Sequence, residues 1–413
     1  MALIKGIKKN VFVLGLVSFF MDISSEMLYP IIPMFLTSVL NAPMFIVGVI
    51  EGIAESTASI LKVVSGWLSD KTGKRKPFVI YGYGLSTVAK PLLAFAATWH
   101  FVLTARFLDR FGKGLRSSAR DALIADSTET GYRGKAFGFH RSLDTVGAVF
   151  GPLIALLALY YYSGSLEDKY RLIFLIAFIP ALISVVLLVL FVSEKKSETK
   201  NGMRFRLSDY SREFKIFLLI SMIFSIGSSS NAFLILRARN IFESDLGEIP
   251  LFISSNFGEM SILAVVILAY VVYNITYSVA SMPAGALSDR IGRRNVMVGG
   301  FLIFSLVYLG FAFATEGYIM WILFAVYGFY IAMTDGVSKA FVVDLVPADK
   351  RGTAIGLYYT ATGLLALFSS IIAGLLWDYI GPQATFLFST GTAFAAAVMM
   401  VALLPRFNQV NRG

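Results

Sequence analysis

Twelve stretches of some twenty mostly apolar residues, separated by short polar connectors, leave few folds open to this chain. They run approximately over 11–38, 44–68, 78–98, 101–124, 136–162, 171–192, 215–236, 259–284, 295–315, 317–342, 353–377 and 383–405. A helix rises 1.5 Å per residue, so ~20 apolar residues cross the roughly 30 Å of hydrocarbon in a bilayer. Composition agrees. Of 413 residues 57% are hydrophobic and 15% charged, and the mean hydropathy is +0.73, whereas a soluble domain has about a quarter charged residues. Too much apolar surface is present to bury inside a water-soluble globule of this length. The expected fold class is an all-α integral membrane protein with twelve transmembrane helices.

The connectors alternate in charge. Lys5, Lys8 and Lys9, Lys71 to Lys76, Arg133 and Lys135, Lys195 to Lys215, Arg290, Arg293 and Arg294, and Lys350 and Arg351 all fall in one set. The opposite set, near Ala42, Trp99 and Glu316, is short and almost free of cations. Positive residues are retained on the cytoplasmic side, which places both termini and the long 193–214 connector there, in the inner membrane of a prokaryote. The net charge of +10 therefore reads as orientation in the bilayer and not as a nucleic-acid face. Absence of Cys excludes disulfides and thiolate metal sites. The basic start "MALIKGIKKN" leads into an apolar run too long for a cleaved signal and is read as the beginning of the first span. No phosphate-binding Gly-Lys loop is present, so ATP is not the expected energy source.

The chain repeats itself. "GWLSDKTGKRKP" from Gly66 returns as "GALSDRIGRRNV" from Gly285, and "DSTETGYRGKAFG" from Asp126 returns as "DLVPADKRGTAIG" from Asp344, at offsets of 219 and 218. Two matched pairs at equivalent hairpins indicate a duplicated six-span unit. The expected division is a bundle over 1–192, a linker over 193–214 and a second bundle over 215–413.

The G-x-x-x-D-[RK]-x-G-[RK]-[RK] pattern, carried by Gly66, Asp70, Lys71, Gly73, Lys74 and Arg75 and again by Gly285, Asp289, Arg290, Gly292, Arg293 and Arg294, resembles the signature of the major facilitator superfamily. The resemblance covers the whole chain. It implies two pseudo-symmetric six-helix bundles and secondary transport by alternating access. It also implies a cytoplasmic gate in which Asp70 works with a basic motif residue and with an acid ending the fourth span, here Asp126. From the residues alone, Asp70 can face a helix N-terminus, Gly66 permits close helix approach, and Gly73 permits a tight turn. Such clusters can latch the two halves together, or their cations can simply set topology.

Ionisable residues inside hydrocarbon are costly and mark function by default. In the first span Asp22 and Glu26 are four apart and share a face, with Asp22 near the midplane; Pro30 and Pro33 let the outer part bend. In family antiporters a first-span acid is a frequent proton-coupling site. The bland reading is a buried pair held by a neighbouring Arg. The second span places Glu51, Glu55 and Lys62 on one stripe, as cavity or gate contacts, and the third contains Lys90. The fourth carries Arg106, Asp109, Arg110, Lys113, Arg116, Arg120 and Asp121. Family antiporters show R-x-x-x-G-x-G there; Gly112 and Gly114 fit, but Leu108 stands where the Arg belongs. The relay Arg stays open between Arg106 and Arg110, with Arg106 the choice as counter-ion to the first-span acids. Further cavity candidates are Arg237, with Arg239, on the seventh span, and Asp335 and Lys339 on the tenth, the latter two equally readable as an internal salt bridge.

The fifth span resembles the antiporter motif G-x8-G-x3-G-P-x-x-G-G through Gly138, Gly147, Gly151 and Pro152, with Ala155 and Leu156 in place of its closing Gly-Gly. His140 and Asp144, four apart in this helix, read as structural before relay. The 36 Phe, 19 Tyr and 14 Met suit an adaptable cavity for amphiphilic compounds, or helix interfaces. The favoured function is proton-coupled efflux of small organic or drug-like molecules by a transporter of the drug/proton antiporter branch, with no enzymatic step. Its expected partners are a small-molecule substrate, protons and the bilayer, with no cofactor, metal or nucleic acid, and the chain is expected to be a monomer. The alternatives are uptake or exchange of an anionic organic solute, prompted by Lys90, Arg106, Arg110 and Arg237, and, ranked below it, a divalent-cation permease or membrane enzyme.

Overall fold

The computed structural model describes residues 7–129, 132–194, 210–244, 246–347 and 350–404. Lys5 and most of the 193–214 connector lie outside them. The chain divides into two compact units: one of Met1–Ala42 and Ile53–Met203, the other of Pro43–Gly52 and Arg204–Gly413.

In the first unit the helices are α1 (Lys9–Leu28), α2 (Ile31–Ser38), α3 (Met44–Thr72, from Ile53 onward), α4 (Lys76–Ala94), α5 (Trp99–Asp126), α6 (Arg133–Tyr161) and α7 (Leu166–Phe191). The first span is thus two helices. Pro30 and Pro33 lack an amide N–H, so the helical acceptors four residues earlier, the carbonyls of Glu26 and Tyr29, lose their donors there. Packing pairs α1 with α6 and α7, and α4 with α5 and α7. Val11, Leu14, Val17 and Met21 of α1 form one core with Val79 and Tyr83 of α4, Leu123 and Ile124 of α5, and Leu188 of α7.

In the second unit follow α8 (Arg212–Gly227), α9 (Ala232–Ser244), α10 (Leu251–Phe257), α11 (Ser261–Ile291), α12 (Arg293–Phe313), α13 (Gly317–Asp344), α14 (Arg351–Tyr379) and α15 (Pro382–Leu403). Here α8 packs on α14 and α15, and α12 on α13 and α15. Counted in spans, first with fifth and sixth, and third with fourth and sixth, are the pairings of both units. The sequence duplication is therefore also a duplication of packing. The core of this unit is aromatic: Phe224 stacks on Phe301 with centroids 4.3 Å apart, and Phe304 on Tyr308 at 3.9 Å.

Among the described residues ten spans are long and apolar enough to cross a membrane, α1–α2 and α8–α9 each counting as one. The two long helices outside that set, α4 and α5, hold Lys90 and the charged run of the fourth span. Outward-facing side chains are apolar as lipid requires: Leu190 is 67% exposed, Leu306 66% and Met282 85%.

Four boundaries depart from the sequence reading. The second and eighth spans, expected to end near 68 and 284, stay helical to Thr72 and Ile291. Nothing in "GWLSDKT" or "GALSDRI" forbids a helix, and termination waits for Gly73 (φ 63°) and Gly292 (φ 90°), both left-handed. The seventh span, expected to end near Leu236, runs to Ser244, and a further helix, α10, follows it before α11. The sixth begins at Leu166, five residues early, because Ser165 accepts a hydrogen bond from the Asp168 amide and caps it.

Candidate functional site

In the first unit the fourth span turns its charges inward. Arg106, Asp109, Arg110 and Arg116 on α5 are all buried, each with at most 6% exposure. Their partners come from the helices around them. Lys90 on α4 donates to Asp109 Oδ1 at 3.0 Å and to Ser25 Oγ on α1 at 3.2 Å. Arg110 reaches Glu55 on α3 at 3.4 Å and Asp109 at 3.9 Å. The guanidinium groups of Arg106 and Arg110 each lie 6.0 Å from the ring of Tyr29, where α1 gives way to α2. Arg116 covers the face of Tyr83 at 4.6 Å and donates to Ser86 Oγ. Such cations are stable in hydrocarbon because each meets a carboxylate, hydroxyl or ring.

Asp22 and Glu26 lie half-buried on α1, where the Asp22 Cβ and the backbone at Glu26 pack on α6. Gly147 and Gly151 of α6 make that seam tight. A Cβ on Gly147 would stand 2.6 Å from the Phe19 carbonyl oxygen and 3.1 Å from Asp22 Cβ; one on Gly151 would meet the Met27 amide nitrogen at 2.8 Å. Gly138, from the same motif, has open space around it, and Pro152 is accommodated inside α6. The structure thus brings two of the three motif glycines to the first-span acids.

The hairpin motif forms an ion cluster in each unit. In the first, Arg75 is buried and pairs with Asp70, approaches Asp126 at 3.5 Å, and donates to Ser69 Oγ at 2.8 Å. Lys74 is exposed. In the second, Arg293 lies 3.0 Å from Asp344 and 3.7 Å from Asp289. Arg293 is the repeat partner of Lys74, not of Arg75, so the pivot cation has moved one position. Arg294, the true counterpart of Arg75, instead donates to the carbonyls of Met400 and Val401 near the end of α15. These ion pairs join residues within one unit. Gly66 packs against Ser118 Cβ of α5 at 3.2 Å from a built Cβ, whereas Gly285 has no neighbour within 4 Å. The carboxylate at a helix N-terminus is Glu194, not Asp70: its two oxygens accept from the Arg75 and Lys76 amides, both at 3.0 Å, where α4 begins.

Several candidates have other partners than expected. Glu51, at 2% exposure, belongs to the second unit, where Ser230 donates to it at 3.2 Å in the break between α8 and α9. Glu51 and Glu55 share a stripe but serve different units. Arg237 is buried, at 7% exposure. It donates to the carbonyls of Phe311 at 2.9 Å and Ala314 at 3.0 Å, closing the C-terminus of α12. Asp335 and Lys339 pair at 3.6 Å, half-exposed, with Tyr277 donating to Asp335 at 3.0 Å and Tyr359 under Lys339. The sequence reading named Asp109 and Arg116 only within the charged run of the fourth span, without their partners, and did not name Tyr29 or Tyr83; a basic residue in one span and an acidic one in the next was the available signal for Lys90 and Asp109. Among the described residues no group of three or more His, Asp or Glu side chains is placed to hold a metal ion.

Both first-span equivalents are interrupted, at Tyr29–Pro30 and at Ser228–Asn231, and paired interruptions of this kind mark binding regions in repeat-built transporters. The family model for the Major Facilitator Superfamily matches residues 14–255 and 218–411. The chain belongs to the major facilitator superfamily. An uncharacterised transporter of this type from Methanocaldococcus jannaschii is 39% identical over 96% of this chain and 95% of its own length. The probable 4-methylmuconolactone transporter of Cupriavidus pinatubonensis is 26% identical over 86% of this chain and 81% of its own. Among solved structures, the nucleoside transporter NupG superposes with a TM-score of 0.76 at 14% identity, over 96% of this chain and 99% of that one. The human organic anion transporter MFSD10 gives 0.66 at 15% identity, over 95% and 99%. These two likenesses speak for the fold. The protein is a membrane transporter of the superfamily.

Proposed function

We propose that this transporter exports small organic, amphiphilic compounds in exchange for protons, by alternating access, with both termini in the cytoplasm. The observation that carries the reading is the α1–α6 seam. There the half-buried acids Asp22 and Glu26 lie against Gly147 and Gly151, and the same α1 meets the cations of α5 through Tyr29. Acids at a glycine seam, with Lys113 of α5 within electrostatic reach of both, form a site whose charge balance a single proton can change. Asp22 and Glu26 take the coupling role. Arg106 and Arg110 are their counter-charges, and Glu55 offers Arg110 an alternative partner. In the second unit the half-buried Tyr277 donates to Asp335 at 3.0 Å, an aromatic ring with a polar tip suited to aromatic or amphiphilic substrates. The clusters around Arg75 and Arg293 act as cytoplasmic gate elements.

Uptake of an organic anion is the second reading, favoured by the relative whose name assigns it 4-methylmuconolactone. It is weakened by Lys90 and Arg237, whose charges are matched internally by Asp109 and by helix-end carbonyls. A thermal-shift screen of organic cations, neutrals and anions on the detergent-solubilised protein would find ligands. Flux of each ligand in proteoliposomes under an imposed pH gradient then decides. Export against an inward proton gradient, lost in Asp22→Asn or Glu26→Gln, supports the first reading; flux that ignores the gradient overturns it.

A further inference from the structure

On α6, one and two turns before Gly147, stand two buried groups outside the coupling set: Asp144 at 9% and His140 at 3% exposure. They stand at one end of a line of groups with exchangeable protons, the first link a close contact and the others hydrogen bonds. Asp144 Oδ2 faces His140 Nδ1 at 3.5 Å, and His140 Nε2 lies 2.7 Å from Ser18 Oγ on α1. Ser18 Oγ lies 3.0 Å from the Tyr83 hydroxyl on α4 and receives a hydrogen bond from Arg120 on α5, also at 3.0 Å. Asp144 Oδ1 is buried without a hydrogen-bond partner.

Donor arithmetic makes this chain a two-state device. A hydroxyl has one proton and two acceptor positions, and an Arg can only donate. Arg120 takes one acceptor position of Ser18, so of Tyr83 and His140 one must donate to Ser18 and the other accept from it. When Ser18 donates to His140 Nε2, the imidazole proton sits on Nδ1 and points at Asp144. When His140 donates from Nε2, Nδ1 is left facing Asp144, which then holds a proton itself or shares one with the ring. One proton arriving at Asp144 therefore reverses the hydroxyl of Ser18 and reaches α1, α4 and α5 together. The charges acting on Asp144 come from each neighbouring helix: Asp22 on α1, Arg120 and Asp121 on α5, and Arg141 on α6 itself.

We propose that Asp144 is a second proton-binding residue of this transporter, linked through His140 and Ser18 to Arg120 and Tyr83 and sharing the α1–α6 seam with Asp22. The proposal rests on the proton-coupled reading and adds to it the residue through which proton occupancy is communicated between helices. His140 is a positioning residue in this scheme. The open oxygen Oδ1 supplies the acceptor that a mobile proton needs, and the tight contact at Gly147 keeps Asp22 within electrostatic reach.

The test reads protonation directly, without a known substrate. Infrared difference spectra of the full-length protein in lipid, recorded between acidic and alkaline pH, report buried carboxyl C=O stretches. One component is expected to vanish in Asp144→Asn, a different one in Asp22→Asn, and the Asp144 component is expected to shift in His140→Gln while keeping its intensity. Asp144→Glu, which keeps the acid, should move the component without removing it and covers the case in which the Asn variant fails to fold. A spectrum with every carboxyl component unchanged in Asp144→Asn, or an Asp144 component blind to His140→Gln, overturns the proposal. Failure of proton-coupled export itself would appear separately, as flux indifferent to a pH gradient with these components still present.

Discussion

Lys90 and Asp109 face each other across α4 and α5 at 3.0 Å, with 3% and 9% of their side chains exposed. A buried pair of this kind is weak as a net stabiliser but costly to break from one side, about 3–5 kcal/mol. Lys90→Met should accordingly lower the thermal unfolding temperature sharply, by leaving Asp109 with a diminished set of counter-charges. The double variant Lys90→Met/Asp109→Leu should recover most of the loss. Unfolding of the two variants in detergent checks this; equal destabilisation of single and double variants would contradict the pairing.

The hairpin clusters predict an asymmetry that the repeated motif hides. In the first unit Arg75 is the buried pivot and Lys74 is exposed; in the second the pivot is Arg293, one position earlier in the motif. Lys74→Gln should change stability by no more than about 0.5 kcal/mol, as surface substitutions do, and leave transport rates near those of the parent. Arg75→Gln should slow transport several-fold, because Asp70 and Asp126 then lose their shared cation. Arg293→Gln should behave like Arg75→Gln, and not like its motif counterpart Lys74→Gln. Flux assays on the three single variants decide the matter. Slowing by Lys74→Gln and not by Arg75→Gln would place the gate on the wrong residue.

The fold was legible because its two signals, apolar span length and a duplicated hairpin, are properties of the linear chain. Contacts along one helix were legible too: Asp335 with Lys339 and His140 with Asp144 follow from a spacing of four. Contacts between helices were not. Whether Glu55 meets Lys62 or Arg110, and whether Lys90 meets a substrate or Asp109, depends on the rotation and tilt of each helix, which packing sets. Ends of helices were equally hidden. Glu194 sits in a connector that reads as polar linker, yet it caps α4 and lies on the backbone of Arg75. Arg237 looked like a cavity cation because charge inside a span is normally functional, but the carbonyls at the end of α12 are an alternative destination.

At Gly147 the predicted effect is steric. A Cβ there would stand 2.6 Å from the Phe19 carbonyl, closer than real contacts allow, and the obstacle is backbone of α1 and not a flexible side chain. Gly147→Ala should therefore part α1 from α6 and lower stability by 1–3 kcal/mol, roughly the range for overpacking. Gly138→Ala, in open space in the same helix, should be tolerated. Thermal unfolding of both variants measures the difference, and equal tolerance would remove the close seam from the argument.

Arg237 offers the sharpest separation of a structural role from a transport role. Its guanidinium donates to three carbonyls at the end of α12, with Phe311 and Ala314 at 2.9 and 3.0 Å and Ala312 at 3.5 Å. A planar fork can serve several acceptors at once, which a single ammonium on a flexible stem does less well. Arg237→Lys should thus lower the unfolding temperature while leaving ligand affinity unchanged, once a ligand is known from the thermal-shift screen. Arg237→Leu should be worse, because helix-end carbonyls left buried without donors cost about 1–3 kcal/mol for each group unsatisfied. Were Arg237 a substrate contact, the Lys variant would keep its stability and lose affinity for anionic ligands, so the two measurements together assign the residue.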